Sequence, residues 1–415
     1  MSRSADRRGT WSRLAAALAG CTALVALCAA GAGGHAAASV YYRLVQYPGA
    51  GFAGFYAQIA QAHHTIDMEI YELADPIAEQ DLAAAAARGV RVRVLLDSAY
   101  SGAEVNRGAA SYLAAHGVAV RWAPSGYIFH VKTTTFDAAT SDVSTANLVA
   151  KYYANTRDAE IIDSDPVQVR AIEATFANDW SAAPAGTPRS QTVQASGLVW
   201  SPNTGAGTAE DALVNQIAAA KKTIDFESEE LSDPAIYAAL AADARRGVSC
   251  RVVMTNSSEW DVAFGAIKAA GCRVHLFPDS SSALYIHEKL ILDDQGTAGE
   301  TLLIGSQNAS VTSLTRNREL GILLTRAHGG AAAMATAGAT FDSDFGNASP
   351  WTAPSAAPSP TTPPAKTACH PLSRAGHCYE PGEDCSDADH GLTGVAGDGE
   401  AIVCEDDNGW RWEPR

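Results

Sequence analysis

The stretch His130-Val131-Lys132-Thr133-Thr134-Thr135-Phe136-Asp137 has a counterpart 157 residues later, His287-Glu288-Lys289-Leu290-Ile291-Leu292-Asp293-Asp294. Both read H-x-K-x4-D. On a strand, residues i and i+2 point to one side, so each pattern sets an imidazole beside an ammonium group. Two such pairs are what cleavage of a phosphodiester through a phosphohistidine requires. One imidazole attacks phosphorus, the other protonates the leaving oxygen, and the cations hold the non-bridging oxygens. A lone His-x-Lys means little. Two of them in register inside a duplicated sequence carry weight.

The duplication extends well beyond these segments. Thr65-Ile66-Asp67 matches Thr223-Ile224-Asp225, Glu72-Leu73 matches Glu230-Leu231, and Asp75-Pro76 matches Asp233-Pro234. Arg88-Gly89-Val90 matches Arg246-Gly247-Val248, and Arg93-Val94 matches Arg251-Val252, all at an offset of 158 residues. A repeat this long, present twice, points to two similar half-domains and not to a solenoid of short units. Each copy reads as α/β. In the first, strands are expected over 66–71, 90–96 and 118–122, and helices over 77–88 and 109–116. Gly89 and Gly117 stop the helices, and the H-x-K strand follows. Strands alternating with helices predict a largely buried sheet covered on both faces.

Each H-x-K segment is followed by a polar tetrad, Ser144-Thr145-Ala146-Asn147 and Gly305-Ser306-Gln307-Asn308. Their hydroxyls and amides suit phosphate oxygens. A glutamate comes next in each copy: Glu160 after Asn155-Thr156-Arg157-Asp158-Ala159, and Glu319 after Asn317-Arg318. A carboxylate beside an imidazole fixes its tautomer.

The order H-x-K-x4-D, G-S-x-N, N-R-E resembles the phospholipase D superfamily, also called the HKD family, over residues 42–346. Ser144 stands where that family has Gly, and Thr145 where it has Ser. The stretch from Asp294 to Gly305 is also longer than its counterpart. The resemblance implies an α/β fold of duplicated α/β/α half-domains with pseudo-twofold symmetry, covering 42–184 and 197–346, with one active site at their junction. It implies a two-step displacement without metal or other cofactor. By carry-over, His130 is the nucleophile and His287 the acid and then the base, although nothing local distinguishes the two. Lys132, Lys289, Thr145, Asn147, Ser306 and Asn308 bind phosphate, Asp137 and Asp294 are mainly structural, and Glu160 and Glu319 orient the histidines. His63, His64, His116 and His275 match no motif, and Glu72 and Glu230 read as capping or turn-packing residues.

The N-terminus reads as an export signal over residues 1–38, with a membrane anchor as the rival. Arg3, Arg7, Arg8 and Arg13 precede an Ala/Leu-rich run, and Ala36-Ala37-Ala38 offers a cleavage site. The formal charge is −16 and the leader is basic, so the remainder is more acidic still. That disfavours a general nucleic-acid binder, whose affinity comes mostly from neutralising phosphates. Of eight cysteines, Cys21 and Cys28 fall in the leader. An even set in an exported chain reads as disulfides. Cys250 and Cys272 are a candidate pair or two buried thiols, and Cys369, Cys378, Cys385 and Cys404 allow three connectivities. Residues 349–366 read as a Pro/Ser/Thr-rich linker. Residues 369–415 read as a Cys-rich module too small to build a core unaided. It is weakly similar to the excalibur calcium-binding type but lacks that type's aspartate ladder.

The expected function is a secreted phosphodiesterase hydrolysing phospholipid headgroups at a membrane surface or in micelles, acting as a monomer. An extracellular nuclease or other phosphodiesterase of the same superfamily, or a catalytically inactive binding protein, is the alternative.

Overall fold

The computed structural model describes residues 41–99, 102–183, 191–202, 207–354 and most of 369–415. The expected leader, with Cys21 and Cys28, and most of the expected linker lie outside the described residues.

Two sheets share one strand order. The first runs Tyr42–Tyr47, Thr156–Asp163, Thr140–Ser144, Lys132–Phe136, Thr65–Ile70, Arg91–Leu96, Ala119–Trp122. The second runs Leu198–Ser201, Glu319–Thr325, Thr301–Gly305, Leu290–Asp293, Thr223–Glu227, Ser249–Thr255, Arg273–Phe277. In both, the last three strands are parallel and the rest antiparallel. The fold is the duplicated α/β architecture that the repeat implies. An eighth strand, Ser349–Pro350, joins the second sheet against Arg273–Phe277, and Trp351 is buried behind it. The expected linker therefore starts later than residue 349, because this tryptophan stacks edge-on against Phe264.

The repeated residues make the same contacts twice. Asp75 and Asp233 cap the helices Pro76–Ala87 and Pro234–Arg245. Each accepts hydrogen bonds from two N–H groups of the first turn, with proline at the first helical position. Gly89 and Gly247, at φ 93° and 90°, end the turn after those helices in the left-handed region that glycine enters without strain. Asp67 holds Arg93 in a two-point pair at 2.7 and 2.6 Å, and Asp225 holds Arg251 at 2.6 and 2.7 Å.

Each half has an outer core between its sheet and its amphipathic helices. A third core is built from both halves. Leu44, Val143, Ile161 and Phe176 of the first meet Val253, Ile286, Leu302 and Phe341 of the second. Burying this much apolar surface fixes the two sheets against each other. Strand segments also cross the junction: Tyr285–Ile286 pairs with Thr156–Arg157, and Phe129 bridges to Arg318.

The C-terminal module is a three-stranded sheet, Thr393–Val395, Ala401–Asp406 and Trp410–Pro414. Among the described residues its core is Ala396, Ile402, Cys404 and Trp412, with Tyr379, Cys385 and Trp410 packed against it. Disulfides Cys369–Cys378 and Cys385–Cys404 select one of the three connectivities, and Cys250 pairs with Cys272.

Candidate active site

His130 and His287 stand just ahead of the strands Lys132–Phe136 and Leu290–Asp293, and a hydrogen bond pins each approach. The Phe129 N–H donates to Asp97 at 2.7 Å, and the Ile286 N–H donates to Thr255 at 2.8 Å. Asp137 and Asp294 follow the strands at φ 52°, turned away from the histidines. Asp137 accepts from the N–H groups of His63, His64 and Thr65, and Asp294 from those of Lys221, Lys222 and Thr223. Burial pushes the Asp137 carboxyl up, but those N–H groups outweigh it and hold it below the usual carboxylate range. The motif aspartates clamp the turn that starts the central strand.

Each histidine is held from the opposite half. Nδ1 of His130 lies 2.9 Å from Glu319 Oε2, and Nδ1 of His287 lies 2.7 Å from Asp158 Oδ1. Fixing Nδ1 leaves Nε2 to face a reacting centre. Burial lowers the pKa of His130, and the Glu319 charge offsets only part of that. Lys132 Nζ donates to the carbonyl of His130 at 2.7 Å, and Lys289 Nζ to that of His287 at 2.5 Å. Burial pushes Lys132 down to about 7.

Three expectations are corrected. Glu160 does not touch a histidine. It takes the Tyr47 hydroxyl at 3.3 Å and neighbours Asp142, and burial pushes it up to about 7. Asp158, two residues earlier, takes the expected role. The register explains the slip: Asp158 pairs with Tyr47 as Glu319 pairs with Ser201. Arg157-Asp158 is therefore the counterpart of Arg318-Glu319, and an arginine directly before an acid was the signal to follow.

Thr145 and Ser306 are fully buried and turn inward instead of toward a ligand. Thr145 Oγ1 donates to Asp158 at 2.6 Å, and Ser306 neighbours Glu319 while bonding to the backbone of Leu320. Glu72 and Glu230 are not turn-packing residues. Asn147 Nδ2 donates to Glu72 at 3.3 Å, and Asn308 Nδ2 to Glu230 at 3.0 Å.

Ser144 and Gly305 differ for a local reason. A Cβ on Gly305 would sit 2.3 Å from the Leu320 carbonyl and 2.4 Å from Gly321 Cα. Ser144 instead pairs with Glu160 across the strands, and its hydroxyl accepts the Ala146 N–H.

Glu229 was not anticipated. Its Oε2 lies 2.9 Å from Lys289 Nζ, 3.2 Å from Asn308 Nδ2 and 3.4 Å from His287 Nε2. Its Oε1 accepts from the Tyr285 hydroxyl at 3.0 Å. At the matching place in the first half stands Tyr71, whose ring is 4.9 Å from that of His130 and lies under Lys132. Among the described residues, no cluster of three or more histidine, cysteine or carboxylate side chains is placed to hold a metal ion.

Two imidazoles with their Nδ1 atoms fixed, two ammonium groups and two amides at one junction can carry a phosphoryl group through addition to nitrogen and release. The family model described as "Cardiolipin synthase, PLD-like domain" matches residues 55–180 and again 213–344. This chain belongs to the phospholipase D-like family. That family acts on phosphodiester bonds.

Comparison with curated proteins gives no match. Among solved structures, phosphatidylserine synthase from Haemophilus influenzae Rd KW20 is similar with a TM-score of 0.55 at 11% identity, over 75% of this chain and 87% of that one. Polyphosphate kinase from Porphyromonas gingivalis gives 0.52 at 15% identity, over 68% of this chain. The chain spans 44% of that kinase's length. The phospholipase D family member Nuc from Salmonella typhimurium gives 0.32 at 22% identity, over 34% of this chain and 93% of that one. The first two are likenesses of fold.

Proposed function

We propose that the protein is a secreted phosphodiesterase that hydrolyses phospholipid headgroups through a phosphohistidine. The observation that carries this reading is the reciprocal seating of His130 on Glu319 and His287 on Asp158. His130 Nε2 attacks phosphorus, the P–N bond forms, and the P–O bond to the headgroup alcohol breaks. His287 gives its proton to the departing oxygen. Water then attacks the phosphohistidine, giving its proton to His287 as the P–N bond breaks.

An asymmetry supports this assignment. Burial favours the neutral, nucleophilic form of His130. His287 has a carboxylate facing each ring nitrogen, Asp158 at Nδ1 and Glu229 at Nε2, which suits a proton donor. Lys132, Lys289, Asn147 and Asn308 hold the non-bridging oxygens.

Export is supported by the basic-then-apolar N-terminus and by the pairing of all six remaining cysteines. Phospholipid is favoured over nucleic acid by the net charge of −16. The test is choline release from phosphatidylcholine in mixed micelles by the purified protein, beside DNA and RNA degradation. Choline release, lost in His130→Ala and in His287→Ala, is expected. Nucleic-acid cleavage without headgroup release would replace this reading with a nuclease. Unchanged activity in both histidine variants would end it.

A further inference from the structure

We infer that Glu229 determines specificity, selecting phosphodiesters whose leaving alcohol carries an ammonium group; this rests on the headgroup-hydrolysis reading above. Glu229 is a strong difference between the halves at the reacting centre. The first half has Tyr71 at the same place, so the duplication did not require a carboxylate there. The carboxylate stands on the His287 side, where the leaving oxygen receives its proton.

In the ligand-free protein, Glu229 Oε2 takes Lys289, Asn308 and the edge of His287 together. Those are the donors a phosphate oxygen needs. A phosphodiester must therefore displace Oε2 from them, leaving Glu229 a negative charge in a half-buried site with its former cation engaged. Oε1 remains tethered to the Tyr285 hydroxyl. A substrate that brings its own cation one short alcohol away from phosphorus replaces the lost partner. One that brings a neutral or anionic alcohol leaves two anions side by side. The exposed ring of Tyr285 lies beside His287 and offers an aromatic face to a quaternary ammonium.

The experiment compares kcat/KM for headgroup release from phosphatidylcholine and phosphatidylglycerol in the same micelles, for the native protein and Glu229→Gln. The native protein should prefer the choline lipid by about tenfold, from the ionic attraction of the carboxylate and the aromatic contact with a quaternary ammonium that has no N–H to donate. Glu229→Gln, of the same shape, should bring the ratio close to one. A second measurement does not need turnover: calorimetric binding of choline to the phosphate-loaded protein, expected to weaken by about tenfold in Glu229→Gln as the ionic attraction is lost. A ratio and a choline affinity both unmoved by the substitution would overturn the inference. Equal native rates on the two lipids would overturn it alone and leave headgroup hydrolysis standing. Release of neither headgroup by the native protein would remove both.

Discussion

Asp158 and His287 stand 129 residues apart and in opposite halves, yet a carboxylate oxygen of one lies 2.7 Å from Nδ1 of the other. The same oxygen receives the Thr145 hydroxyl, so Asp158 is itself held in place. The imidazole is thereby fixed by two layers of hydrogen bonds drawn from the half that does not contain it. Neither half alone can present an oriented histidine. The duplicated halves form one site because each completes the other.

This relationship predicts how two neighbouring acids differ. Asp158→Asn keeps the shape but offers His287 the wrong partner, and kcat should fall by about 10²-fold or more with little change in melting temperature. Glu160→Gln, two residues on and bonded to Tyr47, should leave kcat nearly unmoved. Steady-state headgroup release for the two variants side by side decides it. Equal losses would mean that the strand is perturbed as a whole.

The repeat made much of the fold legible. Thr65-Ile66-Asp67 and Arg93-Val94 recur because Asp67 and Arg93 form a paired contact between adjacent parallel strands. Asp225 and Arg251 form it again. Arg93 then lies 4.9 Å from the Phe176 ring and Arg251 5.0 Å from Phe341, which ties the aromatic residues closing each copy to the sheet. Such contacts lie within one half and leave the same mark twice. The carboxylates that orient the histidines cross between halves, and matching one copy to the other cannot show which half supplies a partner. Glu229 was invisible for the opposite reason. It occurs in only one copy, and its contacts with Lys289 and Asn308 arise only in the folded chain.

Burial of Lys132 gives the site a pH dependence. The ammonium is pushed down to about 7, and only the charged form holds phosphate oxygens. Affinity for a phosphate-site inhibitor such as tungstate should therefore weaken as pH rises through about 7. Inhibition constants measured from about pH 5 to about pH 9 test this. A constant independent of pH would show that Lys132 does not contribute to phosphate binding.

The same lysine should cost stability. Its folded pKa lies below the unfolded value of 10.5. The penalty for folding it is therefore full below about pH 7 and fades as pH rises toward 10.5. Lys132→Met should raise the melting temperature, more at about pH 6 than at about pH 9, while abolishing activity. Calorimetry at both pH values checks the sign, and an increase larger at the higher pH would contradict the argument.

The junction is held by a reciprocal clasp. Arg318 of the second half reaches Asp179 of the first at 2.9 Å, and Arg157 of the first half grips Asp344 of the second at 2.5 and 2.8 Å. Glu69 lies with Asp179 in the first cluster, and Glu227 and Glu288 lie with Asp344 in the second. Each arginine therefore answers more than one buried carboxylate. Arg318→Met leaves Asp179 and Glu69 together without that charge, and it should cost about 3–5 kcal/mol in urea unfolding. Adding Asp179→Asn should recover part of the loss, since the pair is coupled. Arg246 offers the contrast of a half-exposed arginine paired with the buried Asp243 of its own helix: Arg246→Met should cost less than Arg318→Met. If the two arginines cost the same, the clasp is not what joins the halves, and the shared apolar core of Leu44, Phe176, Leu302 and Phe341 must do so alone.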